Sequence, residues 1–227
     1  TFIQRLAQMQ EEVVWLEQTE DFYDLNTFCA DDAILPTRGG DWDDGGLWRD
    51  LFTHNWGVNN GLIISTWDYL YGVIVQCNQS IDKLTELKEL DPSNEYFDIY
   101  KAEVRGIRAM YYYYLLDMFA RVPIVESSLT QMKDVKQSER SEVFNFVKKE
   151  LEESIPLLAD EKSADQGEYY GRMTKAAAYF LMAKLALNAE VYTDNDWTDQ
   201  SRPDGKNIKF TVDGTEKNCW GSYRRLL

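Results

Sequence analysis

Phe97-Asp-Ile-Tyr-Lys-Ala-Glu-Val-Arg-Gly-Ile-Arg-Ala-Met-Tyr-Tyr-Tyr-Tyr-Leu-Leu-Asp-Met-Phe119 is the stretch on which the fold turns. Phe97, Tyr100, Val104, Ile107, Tyr111, Leu115 and Met118 recur at steps of three and four, the spacing of one helix face; on a strand the odd steps would scatter them over both faces. Gly106 and Ala109 are small enough to let a second helix come close. The run of Tyr111 to Tyr114 points all around the helix axis, so at most two of the rings share a face. They read as packing between neighbouring helices, with their hydroxyls bonded to neighbours. Val122-Pro123 closes the helix.

The same period spreads outward. Before the turn Asp91-Pro92-Ser93-Asn94, a helix from about Ser65 carries Trp67, Leu70, Tyr71, Ile74, Cys77, Ile81, Leu84 and Leu87. Beyond a polar connection, Ser141 reads as the cap of a helix with Val143, Phe144, Val147, Leu151, Ile155 and Leu158, stopped or kinked by Pro156. Thr174 reads as the cap of the next, with Ala178, Leu181, Met182, Leu185 and Ala189. Phe2, Ile3, Leu6, Met9, Val13 and Leu16 make an amphipathic helix at the start, and another begins near Cys219. Helices are therefore expected near 1–18, 65–90, 95–120, 141–160 and 173–192, with loops over 20–64 and 193–218. Short turns force antiparallel neighbours, giving two hairpins with Trp67, Ile74, Ile107, Tyr111, Leu151 and Leu181 in the core. Ala109-Met-Tyr-Tyr112 is echoed by Ala177-Ala-Tyr-Phe180. The architecture expected is all-α: tetratricopeptide-like stacked hairpins with long decorating loops, one domain over 1–227. The match to a strict repeat of roughly 34 residues is loose.

Composition removes several function classes. With 24 Lys and Arg against 39 Asp and Glu, the net charge is −15, which argues against binding nucleic acid or an anionic membrane. Apolar residues at 44% rule out a disordered chain. The three cysteines, Cys29, Cys77 and Cys219, have neither the number nor the spacing of a disulfide framework or a zinc site, and read as free buried thiols. No apolar run is long enough to span a bilayer. The chain begins at Thr1 without Met and stops at Tyr223-Arg-Arg-Leu-Leu227, inside a starting helix; it reads as the N-terminal part of a longer protein.

The long loop over 20–64 is where chemistry concentrates. In Arg38-Gly-Gly-Asp-Trp-Asp-Asp-Gly-Gly46, glycines allow sharp turns that leave long side chains projecting. Trp42 offers a flat apolar face for the C–H face of a sugar ring. Arg38, a forked donor, and Asp41, a two-lobed acceptor, suit sugar hydroxyls. The alternative is a loop knot, with Trp42 packed inward and Arg38 and Asp41 in an internal salt bridge. Trp48, Trp56, Asn59 and Asn60 follow; aromatic plus amide also suits a sugar, although an aromatic at a loop end commonly anchors a core. A calcium loop counted from Asp41 fails, since Gly45 and Phe52 stand where ligands are needed. Asp41, Asp43 and Asp44 lie in one short loop without a partner carboxylate on a second element, which glycoside hydrolysis requires. His54 is the single histidine, and there is neither a nucleophile motif nor a phosphate loop. No metal or cofactor is expected. Glu103, Arg105 and Arg108 read as an inter-helix ion network, and Lys148-Lys149-Glu150 as a solvated helix face.

Four segments in order then resemble the SusD/RagB family of outer-membrane nutrient-binding lipoproteins. They are Leu35 to Gly46 with Trp48 and His54-Asn55-Trp56; Trp67-x3-Tyr71-x6-Asn78; Ala102-Glu-Val-Arg-Gly-Ile-Arg-Ala109 running into Tyr111–Tyr114 and Phe119-Ala-Arg-Val-Pro123; and Gly171-Arg-Met-Thr-Lys-Ala-Ala177 running into Leu185. The resemblance implies a tetratricopeptide-like scaffold that binds an oligosaccharide or polysaccharide at the cell surface, is lipid-anchored in the outer membrane outside this segment, partners a SusC-like TonB-dependent transporter, and performs no catalysis. It also places a ligand-stacking aromatic in the 38–46 stretch, which favours the binding reading of that loop. The candidate ligand set is Arg38, Asp41, Trp42, Asp43, Trp56 and Asn59. The competing class is a helical protein-interaction scaffold without small-ligand binding, for which a Trp-bearing glycine-rich loop has no use.

Overall fold

The computed structural model describes residues 22–160, 167–199, 201–212 and 214–218. The helices expected over 1–18 and from near Cys219 lie outside these residues. The described residues fall into two compact units, 22–72 and 73–218.

In the first unit, what reads as a periodless loop contains ordered elements: helix α1 (Phe22–Cys29), a 3₁₀ turn at Asp44–Gly46 and helix α2 (Leu47–Phe52). None is long enough to show a period. Helix α3 (Gly61–Leu90) starts before the expected Ser65, because the Asn60 carboxamide oxygen accepts the N–H groups of Leu62 (3.1 Å) and Ile63 (3.3 Å) and so caps it. Trp67 is only half-buried, not a core residue, and packs against Tyr71 one turn on, the rings 4.8 Å apart and tilted by 45°.

In the second unit α4 (Tyr96–Phe119) is the central element. The C-terminal part of α3 runs antiparallel to it. Lys88 pairs with Asp98 (2.7 Å), Lys101 donates to Thr85 (2.9 Å) and Arg108 to Asn78 (2.8 Å), so partners advance in opposite directions. Helix α5 (Arg140–Ser154) is antiparallel on another side, through Arg105 to Glu153 and Glu150 and through Tyr112 against Phe146. Helix α6 (Lys175–Leu187) runs parallel to α4: Met173 meets Gly106, Lys184 lies over the Tyr113 ring, and Tyr192 reaches Tyr113 and Asp117. These are two stacked helix hairpins of tetratricopeptide type, as the periodicity predicts. With helices on three sides of α4, all four tyrosines of 111–114 are buried, as are Ile74, Ile107, Leu151 and Leu181.

Three details differ from the sequence reading. Helix α5 is capped at Glu139, whose N–H is accepted by the Glu142 carboxylate (2.7 Å), while the Ser141 hydroxyl accepts from Asn195. The helix expected over 173–192 breaks at Asn188 into α6 and a short α7 (Ala189–Tyr192). The 193–218 segment is not all loop: β1 (Lys209–Val212) and β2 (Thr215–Asn218) form an antiparallel hairpin, Val212 opposite Thr215. Phe210 and Val212 face inward, and Phe210 packs edge-on at 5.9 Å against Phe144 of α5. Pro156 sits where expected, in a 3₁₀ turn that ends α5.

Charged groups tie the second unit together. Glu150, 2% exposed, takes Arg105 on one oxygen (2.9 and 2.6 Å) and Arg108 on the other (2.8 Å). Arg108 also donates to Asn78 and to the Glu126 carbonyl (2.9 Å). Glu103 is bonded by Arg172. Burial pushes the Glu103 carboxyl above its ordinary range in spite of that arginine. The Tyr112 hydroxyl accepts the Val125 N–H (2.8 Å), and burial raises its pKa to about 12. This is the ion network expected from Glu103, Arg105 and Arg108, but Glu150, expected on a solvated helix face, is its buried hub, because both arginines of α4 reach it.

The candidate glycan platform

Residues 38–46 form two consecutive tight turns. Arg38 and Asp41 exchange backbone hydrogen bonds in both directions (3.1 and 3.0 Å), closing a two-residue turn over Gly39 and Gly40. Both glycines have positive φ (61° and 101°), which this turn requires and side-chain-bearing residues resist. No ion pair joins the Arg38 and Asp41 side chains among the described residues; the pairing between them is all backbone, and both side chains stand exposed. The second turn closes from Gly46 N–H to the Asp43 carbonyl. Gly46 has φ 90°, and a Cβ there would lie 2.2 Å from a guanidinium nitrogen of Arg49.

Between the turns stands Trp42, with φ 60°. A left-handed conformation costs a non-glycine residue roughly 1–2 kcal/mol, so it persists only where the surroundings impose it. Here they do. Trp48 is 5% exposed and packs edge-on against both Trp42 (6.1 Å) and Phe28 of α1 (5.5 Å). Its indole N–H donates to Asp44 (2.6 Å), fixing the turn that carries Trp42. Trp42 itself is 56% exposed. Trp48 is thus the anchor and Trp42 the projecting ring. Arg38, Asp41 and Asp43 are exposed beside it in sequence.

Trp56 and Asn59 occupy a different segment, 53–60. Trp56 is 42% exposed and meets His54 at 5.4 Å. His54, itself at φ 54°, donates from Nε2 to the Cys29 carbonyl (3.0 Å), tying this segment to the end of α1. Asn59 is exposed, and its neighbour Asn60 is spent on capping α3. No hydrogen bond or ring contact joins Trp56 or Asn59 to Trp42 among the described residues. The first four candidates therefore share the 38–46 segment, and the other two belong to the following one. Trp48 is the core anchor expected of an aromatic at a loop end, while its bond to Asp44 and its contact with Phe28 escape the sequence reading.

Chemically, the turn offers one aromatic face, one guanidinium and several carboxylates. Among the described residues no group of His, Cys, Asp and Glu is placed to hold a metal ion. An exposed ring flanked by a planar donor and two-lobed acceptors is a surface for a polyol.

Residues 2–187 match the SusD-like family described as starch-binding and associating with the outer membrane, and the chain belongs to that family. Among individual proteins, the starch-binding protein SusD of Bacteroides thetaiotaomicron is 34% identical over 93 residues, 41% of this chain and 16% of its own length. A laminarin-binding SusD-like protein superposes with a TM-score of 0.67 at 22% identity, over 85% of this chain and 41% of that one. A structure determined with a xylogluco-oligosaccharide superposes with a TM-score of 0.58 at 21% identity, over 82% and 35%. The chain spans about two-fifths or less of the length of each of these relatives. At these identities the structural matches establish the fold.

Proposed function

We propose that this chain is the glycan-capturing part of an outer-membrane uptake system. It binds a glucan oligosaccharide on the Trp42 turn and passes it to a SusC-like TonB-dependent transporter, without hydrolysing it. The observation that carries the reading is Trp42: a 56% exposed indole in a left-handed backbone, braced from below by a buried tryptophan. Backbone strain of this kind clusters at functional sites, which supports a binding role for the ring it holds out. Arg38, Asp41 and Asp43 supply the donors and acceptors for ring hydroxyls, with Trp56 and Asn59 as outlying contacts.

The choice of a glucan is supported by the names of relatives, which state starch, laminarin and a xylogluco-oligosaccharide, all glucose-based. The family description, which names association with the outer membrane, supports residence there; display at the surface through a lipid anchor is part of the same proposal. Among the described residues no helix is long and apolar enough to cross a membrane. Affinity electrophoresis of the 227-residue chain through gels containing starch, laminarin or xyloglucan tests the reading. Retardation by at least one of them, with no reducing sugar released on prolonged incubation, is the expected result. Unretarded migration in all three gels contradicts binding, and sustained sugar release contradicts a purely capturing role.

A further inference from the structure

In the second unit, the end of α5, the start of α6 and the β-hairpin enclose a cleft of about 330 Å³. That volume lies at the small end of ligand pockets and suits one compact molecule. Pro156 and the half-buried Tyr179 supply apolar wall. Asp160 and Lys175 stand together on another side, 3.0 Å apart, giving an acceptor next to a three-proton donor. Glu152 uses one oxygen to accept the Thr211 N–H (2.7 Å), which fixes the hairpin to α5. Its other oxygen accepts nothing among the described residues.

These groups select by chemistry. Two carboxylates against one ammonium repel phosphates and acidic sugars. Polar groups on several walls disfavour a wholly apolar guest. A ring with one C–H face and several hydroxyls satisfies everything present: its face meets Tyr179 or Pro156, adjacent hydroxyls bridge Lys175 and Asp160, and another donates to Glu152. We propose that this cleft is a second sugar site, taking a single neutral pyranose residue and built from residues entirely outside the 38–60 segment. The proposal rests on the glycan-binding reading above. Lys175 also serves the fold, since its backbone N–H donates to the Ala159 carbonyl (2.9 Å) as α6 begins. Nothing in the sequence flags the site, because its residues come from three separated segments.

Saturation-transfer NMR and calorimetry on the full 227-residue chain, with maltohexaose, laminarihexaose and a xyloglucan heptasaccharide as probes, test it. The variants are Trp42→Ala, Tyr179→Ala and Asp160→Asn, alone and with Trp42→Ala, each checked by melting temperature. Asp160 is exposed, so its variant leaves the fold intact. The expected result is that Trp42→Ala retains weak binding of at least one probe, and that adding Tyr179→Ala or Asp160→Asn lowers this residual affinity at least tenfold. Two outcomes overturn the cleft while sparing the glycan reading: Trp42→Ala alone abolishes all binding, or neither cleft variant changes the residual affinity. Wild-type protein that binds none of the probes overturns both.

Discussion

Trp48 fixes what Trp42 does. Its ring fills the space between α1 and the 38–46 turns, and its N–H occupies Asp44. Trp48→Phe keeps most of the packing but removes the donor. It is expected to cost about 1 kcal/mol of unfolding free energy and to weaken glycan binding, because the Trp42 turn loses its brace. Trp48→Ala is expected to cost about 3–5 kcal/mol. Denaturant titrations of both variants check this order; equal stability of Trp48→Ala and wild type contradicts the anchor role. The cysteines divide as sharply. Cys77 is fully buried, and burial raises its thiol pKa to about 12, so at neutral pH it holds almost no thiolate. Cys29 is half-buried, and burial raises its thiol less far. In a Cys219→Ser background, a disulfide reagent at pH 8 is expected to label one thiol in the native protein and two after unfolding. Rapid native labelling of both contradicts the burial of Cys77.

At the scale of elements, contacts made through single residues hold the helices in register. A Cβ on Gly106 of α4 would stand 2.8 Å from Met173 Cγ, just ahead of α6. Gly106→Ala gains about 0.5–1 kcal/mol in helix preference but loses about 1–3 kcal/mol to overpacking, so a net loss is expected. In a Met173→Ala background the same change is expected to stabilise, and a double-mutant cycle reads the reversal directly. Additive effects contradict the close approach. Asp82 of α3 holds the 127–128 turn by accepting from Ser128 N–H (2.8 Å), Ser128 Oγ (2.6 Å) and Ser127 Oγ (3.1 Å). Burial raises its carboxyl, but these bonds outweigh burial and hold it below its ordinary value. Because the folded pKa lies below the unfolded one, Asp82 contributes its full stability above the unfolded pKa and loses it as pH falls through the folded one. Asp82→Asn is therefore expected to be less stable than wild type at pH 7 and equal to it in strong acid. A stability gap that stays constant with pH contradicts this.

The helices of the second unit are legible in the sequence because their apolar periods run for many turns, so Val104, Ile107, Tyr111 and Leu115 vote the same way. What escapes is short or is decided by single bonds. Helix α2 has six residues, too few for a period. The cap at Glu139 depends on a reciprocal bond rather than on the nearest hydroxyl. The β-hairpin rests on two inward residues, Phe210 and Val212, in a stretch whose polar composition hides them. Around the 38–46 loop the sequence points to a projecting Trp42 and an anchoring Trp48, but not to the bonds and ring contacts that brace them, which only packing decides.

For the whole molecule, the net charge of −15 is a standing electrostatic load on the folded state. Raising the ionic strength from about 0.01 to about 0.15 M shortens the screening length roughly from 30 to 8 Å. The melting temperature is expected to rise across that range, and a fall contradicts the self-repulsion. The acidic surface leaves binding to local chemistry, in our proposal to the exposed, braced Trp42. The most direct measurement is the melting temperature and the glucan affinity of Trp42→Ala, taken on the same preparation. An unchanged melting temperature with affinity lowered by about 2 kcal/mol or more, roughly thirtyfold, is predicted. A protein that melts several degrees earlier yet binds normally per folded molecule contradicts it.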